Sequence, residues 1–181
     1  MKKNRIISSI ISTCLLLNPV MPLKTNAISY SRLVDNDPIA SGYSFVSNNM
    51  NYYGAISGSY NNDMRLPPLL NGLTAYAFWK FPPMSHAGTS CSATLGVYLN
   101  NINFTEPHAA YSIEIDNSSG GYDYMGSIDQ YYAASGWNYI HKTVNAYSYN
   151  NYISCGSVLV ESRTSGNVQL GADAVSLQLV F

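Results

Sequence analysis

Hydrophobic and polar residues alternate in short runs along most of the chain, a pattern typical of β-strands with one buried face. In the run 74–81, Tyr76, Phe78 and Lys80 alternate with smaller or aromatic apolar residues, so the two sets face opposite sides of a strand. Similar runs lie at 41–46, 92–99, 110–116, 157–162 and 173–181. The pattern predicts an all-β chain that folds as an antiparallel β-sandwich, jelly-roll-like, in a single domain.

The stretch 127–144 contains two aromatic-rich runs separated by Ser135-Gly136, a dipeptide that favours a tight turn. In the second run Trp137, Tyr139 and His141 lie two residues apart, so they share one face of a strand. We expect the C-terminal run 172–181 to pair with this strand.

The first residues have the features of a secretory signal peptide. A basic head at residues 2–5 precedes an apolar run at 6–17, and small residues end at Ala27. A membrane anchor is the alternative, but the apolar run is short and is interrupted by Asn18 and Pro19. We therefore predict a signal peptide (1–27), an N-terminal lead-in (28–40) and a β-sandwich domain (41–181). The protein is expected to be secreted, without membrane insertion.

Cleavage would leave five basic residues against all ten acidic ones, a net charge of −5. Nucleic-acid binding requires clustered lysine and arginine, so the composition argues against a nucleic-acid partner.

All 16 tyrosines follow the signal segment, in a chain rich in Asn, Ser and Gly. These residue types supply flat contact area and adaptable hydrogen bonds, although tyrosine is also simply a strand former. Aromatic rings stack on sugar rings, so tyrosines in loops are candidates for ligand binding. The candidates are Tyr122, Tyr124, Tyr147, Tyr149, Tyr152, Tyr52 and Tyr53. The alternative is that these loops only pack over the sheet edges.

Two cysteines remain after the signal segment, Cys91 and Cys155. An even number in an exported protein predicts a disulfide between them. A thiol hydrolase is the alternative, but neither cysteine precedes a helix that would favour the thiolate. Nor do Glu106, Glu114 or Asp116 form a recognisable carboxylate pair for glycosidic cleavage. We expect no enzyme activity.

Several other residues have structural or metal-binding interpretations. Asp129, Gln130 and Asp173 are predicted to be polar staples that hold loop backbone, and Trp79 and Trp137 are predicted to lie in the core. We expect no cofactor, although calcium is possible at Asp35 and Asp37, which lack the spacing of an EF-hand loop. The three histidines lack the spacing of zinc ligands.

The order of several short motifs resembles the golvesin C-terminal domain, also called the xanthan-lyase carbohydrate-binding-like domain. The motifs are Gly42-Tyr43, Tyr52-Tyr53-Gly54, Ala77-Phe78-Trp79, Ala110-Tyr111-Ser112-Ile113, Ile128-Asp129-Gln130, Gly136-Trp137-Asn138 and Ala172-Asp173-Ala174-Val175. The resemblance covers most of residues 40–181. It departs from the family at Tyr139-Ile140, where the pattern has leucine-glycine, and in the cysteine pair. It implies a β-sandwich that accompanies secreted enzymes as an accessory domain, and it carries over no catalytic residues.

Together these features predict a secreted, non-catalytic domain that binds carbohydrate or a cell-envelope polymer through tyrosine-rich loops. The alternative is an exported structural or adhesive domain that binds another secreted or surface protein. A small secreted hydrolase is the third possibility.

Overall fold

The computed structural model describes residues 27–37, 43–67, 75–82, 84–85, 90–100, 103–115, 122–145, 152–153, 156–164 and 168–181. Within these residues the fold is all-β, as the alternation predicts, and the only helical element is a 3-10 turn at Tyr60–Asn62. The strands are β1 (Ser29–Val34), β2 (Ser44–Asn48), β3 (Asn51–Gly54), β4 (Asp63–Leu66), β5 (Tyr76–Phe81), β6 (Met84–Ser85), β7 (Ser90–Leu99), β8 (Ala109–Ile115), β9 (Asp123–Ile128), β10 (Gly136–Asn145), β11 (Tyr152–Ile153), β12 (Gly156–Glu161) and β13 (Val175–Val180). No helix in this part of the chain is long and apolar enough to cross a bilayer.

Two antiparallel sheets form the sandwich. The four-stranded sheet has the order β1-β13-β7-β10, and the five-stranded sheet has the order β2-β5-β12-β8-β9. Two small pairs, β3-β4 and β6-β11, complete the described strands. The edge strands β9 and β10 contact each other, which joins the two sheets along one side.

The inward faces of both sheets supply one hydrophobic core. Leu95 and Leu99 of β7 and Leu179 of β13 are fully buried from one sheet, and Trp79 and Val158 are buried from the other. Trp79 is therefore a core residue, as expected. The alternation predicted for the run 74–81 is also observed, because Tyr76, Phe78 and Lys80 face away from the core.

Two sequence-based expectations about pairing are wrong. β10 does not pair with the C-terminal strand: β7 lies between them and pairs with β10 over all ten of its residues and with β13 over six. Alternation determines which face of a strand is buried but not which strand lies beside it. The two aromatic-rich runs of 127–144 do not form two strands joined by a tight turn either, because β9 ends at Ile128, residues 129–135 form the connection, and β10 belongs to the other sheet. The chain changes sheets just before Gly136, whose φ of 97° is strained for other residues.

The lead-in contributes to the sandwich. β1 lies within residues 28–40 and pairs with β13 over six residue pairs, so it forms the edge of the four-stranded sheet. Residues 1–26, which include nearly all of the predicted signal peptide, lie outside the described residues.

Gln130 makes the contacts of a polar staple. Its fully buried amide donates to the Tyr111 hydroxyl (2.8 Å) and the Gly171 carbonyl (3.0 Å), and accepts from the Gly171 N–H (2.8 Å). Asp129, its neighbour, accepts the backbone N–H groups of Tyr131 and Tyr132. These bonds tie the β9–β10 connection to the segment that precedes β13.

Candidate functional site

Three ring side chains of β10 form a row on the outer face of the four-stranded sheet. Trp137, Tyr139 and His141 lie at alternate positions of this strand, as the sequence predicts for one strand face. Tyr139 is 59% exposed, and its ring lies nearly parallel to that of His141, at 20° and 6.5 Å between centroids. The row therefore presents aromatic surface to solvent from a regular strand rather than from a loop.

Two features of the neighbouring strands hold these rings in place. Gly96 of β7 lies beneath them, and a Cβ there would be 3.0 Å from the Tyr139 ring, 3.3 Å from the Trp137 ring and 2.3 Å from the Ser176 hydroxyl. The absence of a side chain thus allows both rings to lie close to the β7 backbone. The Thr94 hydroxyl is hydrogen-bonded to His141 Nδ1 at 2.9 Å.

Two further tyrosines extend the row at its Trp137 end. Tyr98 packs edge-to-face on Trp137 at 5.3 Å, and Tyr60 packs edge-to-face on both Tyr98 (5.5 Å) and Trp137 (5.8 Å). We call Tyr60, Tyr98, Trp137, Tyr139 and His141 the aromatic patch. Trp137 is half-buried on this outer face. The expectation that Trp137 lies in the core is wrong. It lies on the same strand face as the exposed Tyr139, opposite to the face of the buried Val144.

The predicted loop residues Tyr122 and Tyr124 lie on or beside the opposite surface, at the β9 edge of the five-stranded sheet. Tyr124 is 42% exposed, but Lys142 and Arg163 lie over its ring at 5.8 and 5.3 Å. Its hydroxyl is hydrogen-bonded to Ser127 at 2.7 Å. We call Tyr122, Tyr124, Lys142 and Arg163 the Tyr124 patch.

The other predicted tyrosines do not join either patch within the described residues. Tyr52 and Tyr53 lie exposed on the β3 strand, and Arg65 lies over the Tyr52 ring at 4.6 Å. Tyr152 belongs to β11, and its side chain is outside the described residues. Tyr147 and Tyr149 also lie outside them.

Four polar residues meet beneath the turn that carries Tyr60. We call Asp35, Asn36, Asp63 and Asp173 the aspartate cluster. Asp173 accepts the Tyr60 N–H at 2.9 Å, and Asp35 accepts the Asn61 side-chain amide at 2.5 Å and the Asn36 N–H at 2.7 Å. Asp173 thus holds loop backbone in the way expected of a staple, and its own carbonyl accepts the Trp79 indole N–H at 3.3 Å.

Burial raises the pKa of each carboxyl in the cluster, and neighbouring negative charges add to the rise. Burial raises the pKa of Asp173 to about 8, the bond from Tyr60 opposes the rise, and the charges of Asp35 and Asp63 add to it. Burial also raises the pKa of Asp35 and of Asp63. Asp37, the second residue of the predicted calcium pair, points instead to Arg65 in an ion pair of 3.0 Å.

The structure does not show the expected disulfide. Cys91 is a free, buried thiol on β7, and Cys155 lies outside the described residues. Burial, with a smaller effect of the Asp123 charge, raises the pKa of Cys91 to about 11. A thiol with that pKa is almost entirely protonated at neutral pH, so Cys91 is unsuited to nucleophilic catalysis.

The described residues contain no group of three or more His, Cys, Asp or Glu side chains that could hold a metal ion by themselves. The carboxylate of Glu106 is fully buried, and it accepts hydrogen bonds from the His108 N–H and the hydroxyls of Ser162 and Thr164. Glu114 accepts from Ser157 at 3.2 Å. Each carboxylate therefore has a structural partner.

Comparison with known proteins gives likeness of fold. No family model and no curated protein matches the chain. Among solved structures, a Paenibacillus xanthan lyase superposes with a TM-score of 0.54 at 19% identity, covering 81% of this chain and 13% of the lyase. A family 35 carbohydrate-binding module from Clostridium thermocellum gives 0.44 at 16% identity, covering 76% of this chain and 91% of the module.

A third neighbour is the K1 cleaved adhesin domain of Lys-gingipain from Porphyromonas gingivalis W83. It gives a TM-score of 0.43 at 12% identity, covering 84% of this chain and 98% of that domain. This chain spans only 13% of the length of the xanthan lyase, so the likeness concerns one region of that enzyme. At 19% identity and a TM-score of 0.54, the likeness to the xanthan lyase is one of fold alone.

The sequence predicts that Trp137, Tyr139 and His141 share one strand face, but the predicted ligand-binding tyrosines lie in loops. The spacing of three rings at alternate positions was the signal for an exposed aromatic row. Tyr60, Tyr98 and Gly96 had no such signal, because they come from distant segments and meet β10 only through the register of β7.

Proposed function

We propose that this domain is a non-catalytic carbohydrate-binding module, and that a sugar chain stacks on the aromatic patch. The observation that carries the proposal is the row of three rings on β10. The row packs over Gly96 and is open to solvent at Tyr139. The apolar faces of pyranose rings stack on such surfaces, because stacking removes apolar surface of both the ring and the sugar from water.

The residues beside the row are suited to sugar hydroxyls. The strand register places Ser176 next to Gly96, whose other partner is Tyr139, and Gln178 next to Thr94, whose other partner is His141. Hydroxyl, amide and imidazole groups both donate and accept hydrogen bonds. The four-stranded sheet therefore combines flat rings with neutral polar groups, the combination expected at a site for a neutral or weakly charged saccharide.

The proposed biological setting is extracellular. The basic, apolar and small-residue segments of residues 1–27 support export, and the order of motifs supports a golvesin-like accessory role. The likeness to part of a xanthan lyase is consistent with that role. We propose a carbohydrate or cell-envelope polymer as the partner.

The test is affinity electrophoresis and calorimetry with a panel of neutral and anionic polysaccharides that includes xanthan. We expect retention on at least one polymer, and loss of that retention in the double variant Trp137→Ala/Tyr139→Ala. The matched control is Tyr122→Ala/Tyr124→Ala, which removes two exposed rings from the Tyr124 patch and should bind as the wild type does.

Three results would contradict the proposal. Loss of binding only in the Tyr122/Tyr124 variant would move the site to the opposite surface, as the sequence first indicated. Binding to no polysaccharide, with retention of a secreted or surface protein instead, would favour the adhesive alternative. Release of reducing sugar from a bound polymer would show that the domain is an enzyme.

A further inference from the structure

The aspartate cluster contains buried polar atoms that the protein leaves without hydrogen bonds. Asp173 is 2% exposed, Asn36 1% and Asp63 8%. Nevertheless Asp173 Oδ1, Asp63 Oδ1 and both side-chain polar atoms of Asn36 lack a hydrogen bond of normal geometry, although the Asn36 amide lies close enough to Asp63 to lower the pKa of that carboxyl. Buried carboxylate and amide oxygens are nearly always satisfied, so a group of three from separate segments indicates a missing partner.

The cluster also carries more negative charge than nearby cations offset. Asp35, Asp63 and Asp173 meet there, whereas the nearby Arg65 forms its ion pair with Asp37 and acts by its charge on Asp63. The orphaned oxygens come from the end of β1, the start of β4 and the segment before β13. A ligand bound between them would link three distant parts of the chain.

We propose that the aspartate cluster binds one divalent cation of the size and hardness of Ca²⁺, through oxygens of Asp63, Asp173 and Asn36. A single proton would satisfy only one of the orphaned oxygens, whereas a cation attracts all of them. Ca²⁺ accepts six to eight oxygen ligands, including amide oxygens and water, in flexible geometry. Zn²⁺ fits less well, because the cluster offers no histidine or cysteine.

The ligand set is mixed rather than purely acidic. No three carboxylates in the described residues are arranged to hold a metal alone. The proposed site therefore depends on the Asn36 amide oxygen and on water in addition to Asp63 and Asp173. Asp35 contributes charge, because its own oxygens already accept from Asn36 N–H and Asn61.

Cation binding would also stabilise the turn above the cluster. Tyr60 donates its N–H to Asp173 Oδ2, while its ring packs on Tyr98 and Trp137. Ala55, Asn61 and Asn62 near it all have left-handed backbone, a conformation that asparagine adopts more readily than alanine does. The cation would hold in place the one member of the aromatic patch that comes from this turn. This last step rests on the proposed function, whereas the binding of the cation does not.

The experiment measures Ca²⁺ binding to the purified full chain, stripped with EDTA and free of saccharide. Isothermal calorimetry and thermal unfolding are recorded with CaCl₂ and MgCl₂ up to about 10 mM, which exceeds the Kd of about 0.1–1 mM of weak extracellular calcium sites. We expect Ca²⁺ to raise the unfolding midpoint by roughly 3–6 °C, and Mg²⁺ by less.

The variants Asp63→Asn and Asn36→Ala should lose this shift, and Glu161→Gln on the five-stranded sheet should keep it. If a variant does not fold, sensitised Tb³⁺ luminescence of the wild type, competed by Ca²⁺, reports the site independently. Absence of any Ca²⁺ effect on wild-type heat or unfolding would overturn the proposal, as would a full shift in Asp63→Asn. Calcium binding without saccharide binding would leave this proposal standing and remove the proposed function.

Discussion

The two outer faces of the sandwich both expose tyrosine, but they use it differently. On the five-stranded sheet, the Tyr124 ring lies under two cations and its hydroxyl is hydrogen-bonded to Ser127. On the four-stranded sheet, Tyr139 is 59% exposed and lies beside His141 over a glycine. The first ring already contributes to the fold, whereas the second presents most of its surface to solvent.

The comparison shows that exposure alone is a poor guide to a ligand site. A ring whose face and hydroxyl already contact the protein would have to exchange those contacts for ligand contacts, with little net gain. A ring supported from below by backbone and held at its edge is preorganised without being occupied. The following predictions test this difference.

The largest expected effect is on the pH dependence of stability beneath the aromatic patch. There the Tyr60 N–H donates to the buried Asp173. The raised pKa means that folded protein keeps the Asp173 proton up to about pH 8, whereas unfolded protein releases it near its ordinary value. Stability should therefore fall as pH rises from about 4 to 8, by at most about 1.4 kcal/mol per pH unit from this group.

Asp35 and Asp63, whose pKa values are also raised, act in the same direction, and the charge of Arg65 opposes the rise at Asp63. Asp173→Asn should be less dependent on pH than wild type in urea unfolding at pH 5 to 8 with EDTA. Glu161→Gln serves as the control for loss of one negative charge. An equal slope in Asp173→Asn and wild type would show that Asp173 is ionised when folded.

The next largest effect is expected when the space beneath the rings of the aromatic patch is filled. A Cβ at Gly96 approaches Ser176, Tyr139 and Trp137, so Gly96→Val should displace the rings and cost about 1–3 kcal/mol of stability. We expect saccharide affinity to fall by more than about tenfold. Gly126→Val, whose Cβ would lie 3.2 Å from Ile140, should destabilise the fold while affinity is retained. Equal affinity losses in the two variants would point to a general effect of destabilisation.

Single substitutions of the two exposed tyrosines should give opposite results. Tyr139→Ala should weaken saccharide binding about tenfold and change stability little, because the ring is mostly solvent-exposed. Tyr124→Ala should cost about 1 kcal/mol of stability through loss of its two cation–π contacts, and should change affinity by less than about twofold. Calorimetry and urea unfolding of both variants measure the two effects. The reverse assignment would exchange the roles of the two faces.

The smallest effect is expected at the edge of the row. Thr94→Val removes the hydroxyl that is bonded to His141 Nδ1 and keeps the shape of the side chain. Loss of one such bond is worth about 0.5–1.5 kcal/mol, so affinity should fall about twofold to tenfold through looser positioning of the imidazole. Thr143→Val, on β10 and on the same face of the sheet, is the matched control. An unchanged affinity in Thr94→Val would remove His141 from the site.

The strand faces were largely predictable, but the strand neighbours were not. Alternation alone placed Trp79 inward and Lys80 outward, because the side-chain period of a strand is fixed by backbone geometry. Nothing in that period indicated that β7 would separate β10 from β13, since any strand with one apolar face fits either position. Trp137 shows the consequence. The strand face on which Trp137 lies was predicted correctly. The position of β10 in the sheet, which leaves that face uncovered, was not.

The acidic site was partly visible in the chain. Asp35 and Asp37 stood out because only Asn36 separates them in the sequence, and Asp173 stood out in a recognised motif. Asp63 did not, because its importance comes from burial of an oxygen that has no hydrogen bond of normal geometry. Burial of a polar group is a property of packing, and short-range sequence does not encode it.

The sequence by itself determined the all-β class, the boundaries of most strands, the side of each strand that is apolar and the abundance of aromatic and neutral polar residues. Each of these follows from local patterns, because strand geometry and side-chain hydrophobicity act on neighbouring residues. Only the tertiary structure decided which rings share an open face, which tyrosine already contacts cations, and which carboxyls meet beneath Tyr60. These depend on pairs such as Gly96 with Tyr139 and Tyr60 with Asp173, which are more than 40 residues apart and meet only when both sheets have formed.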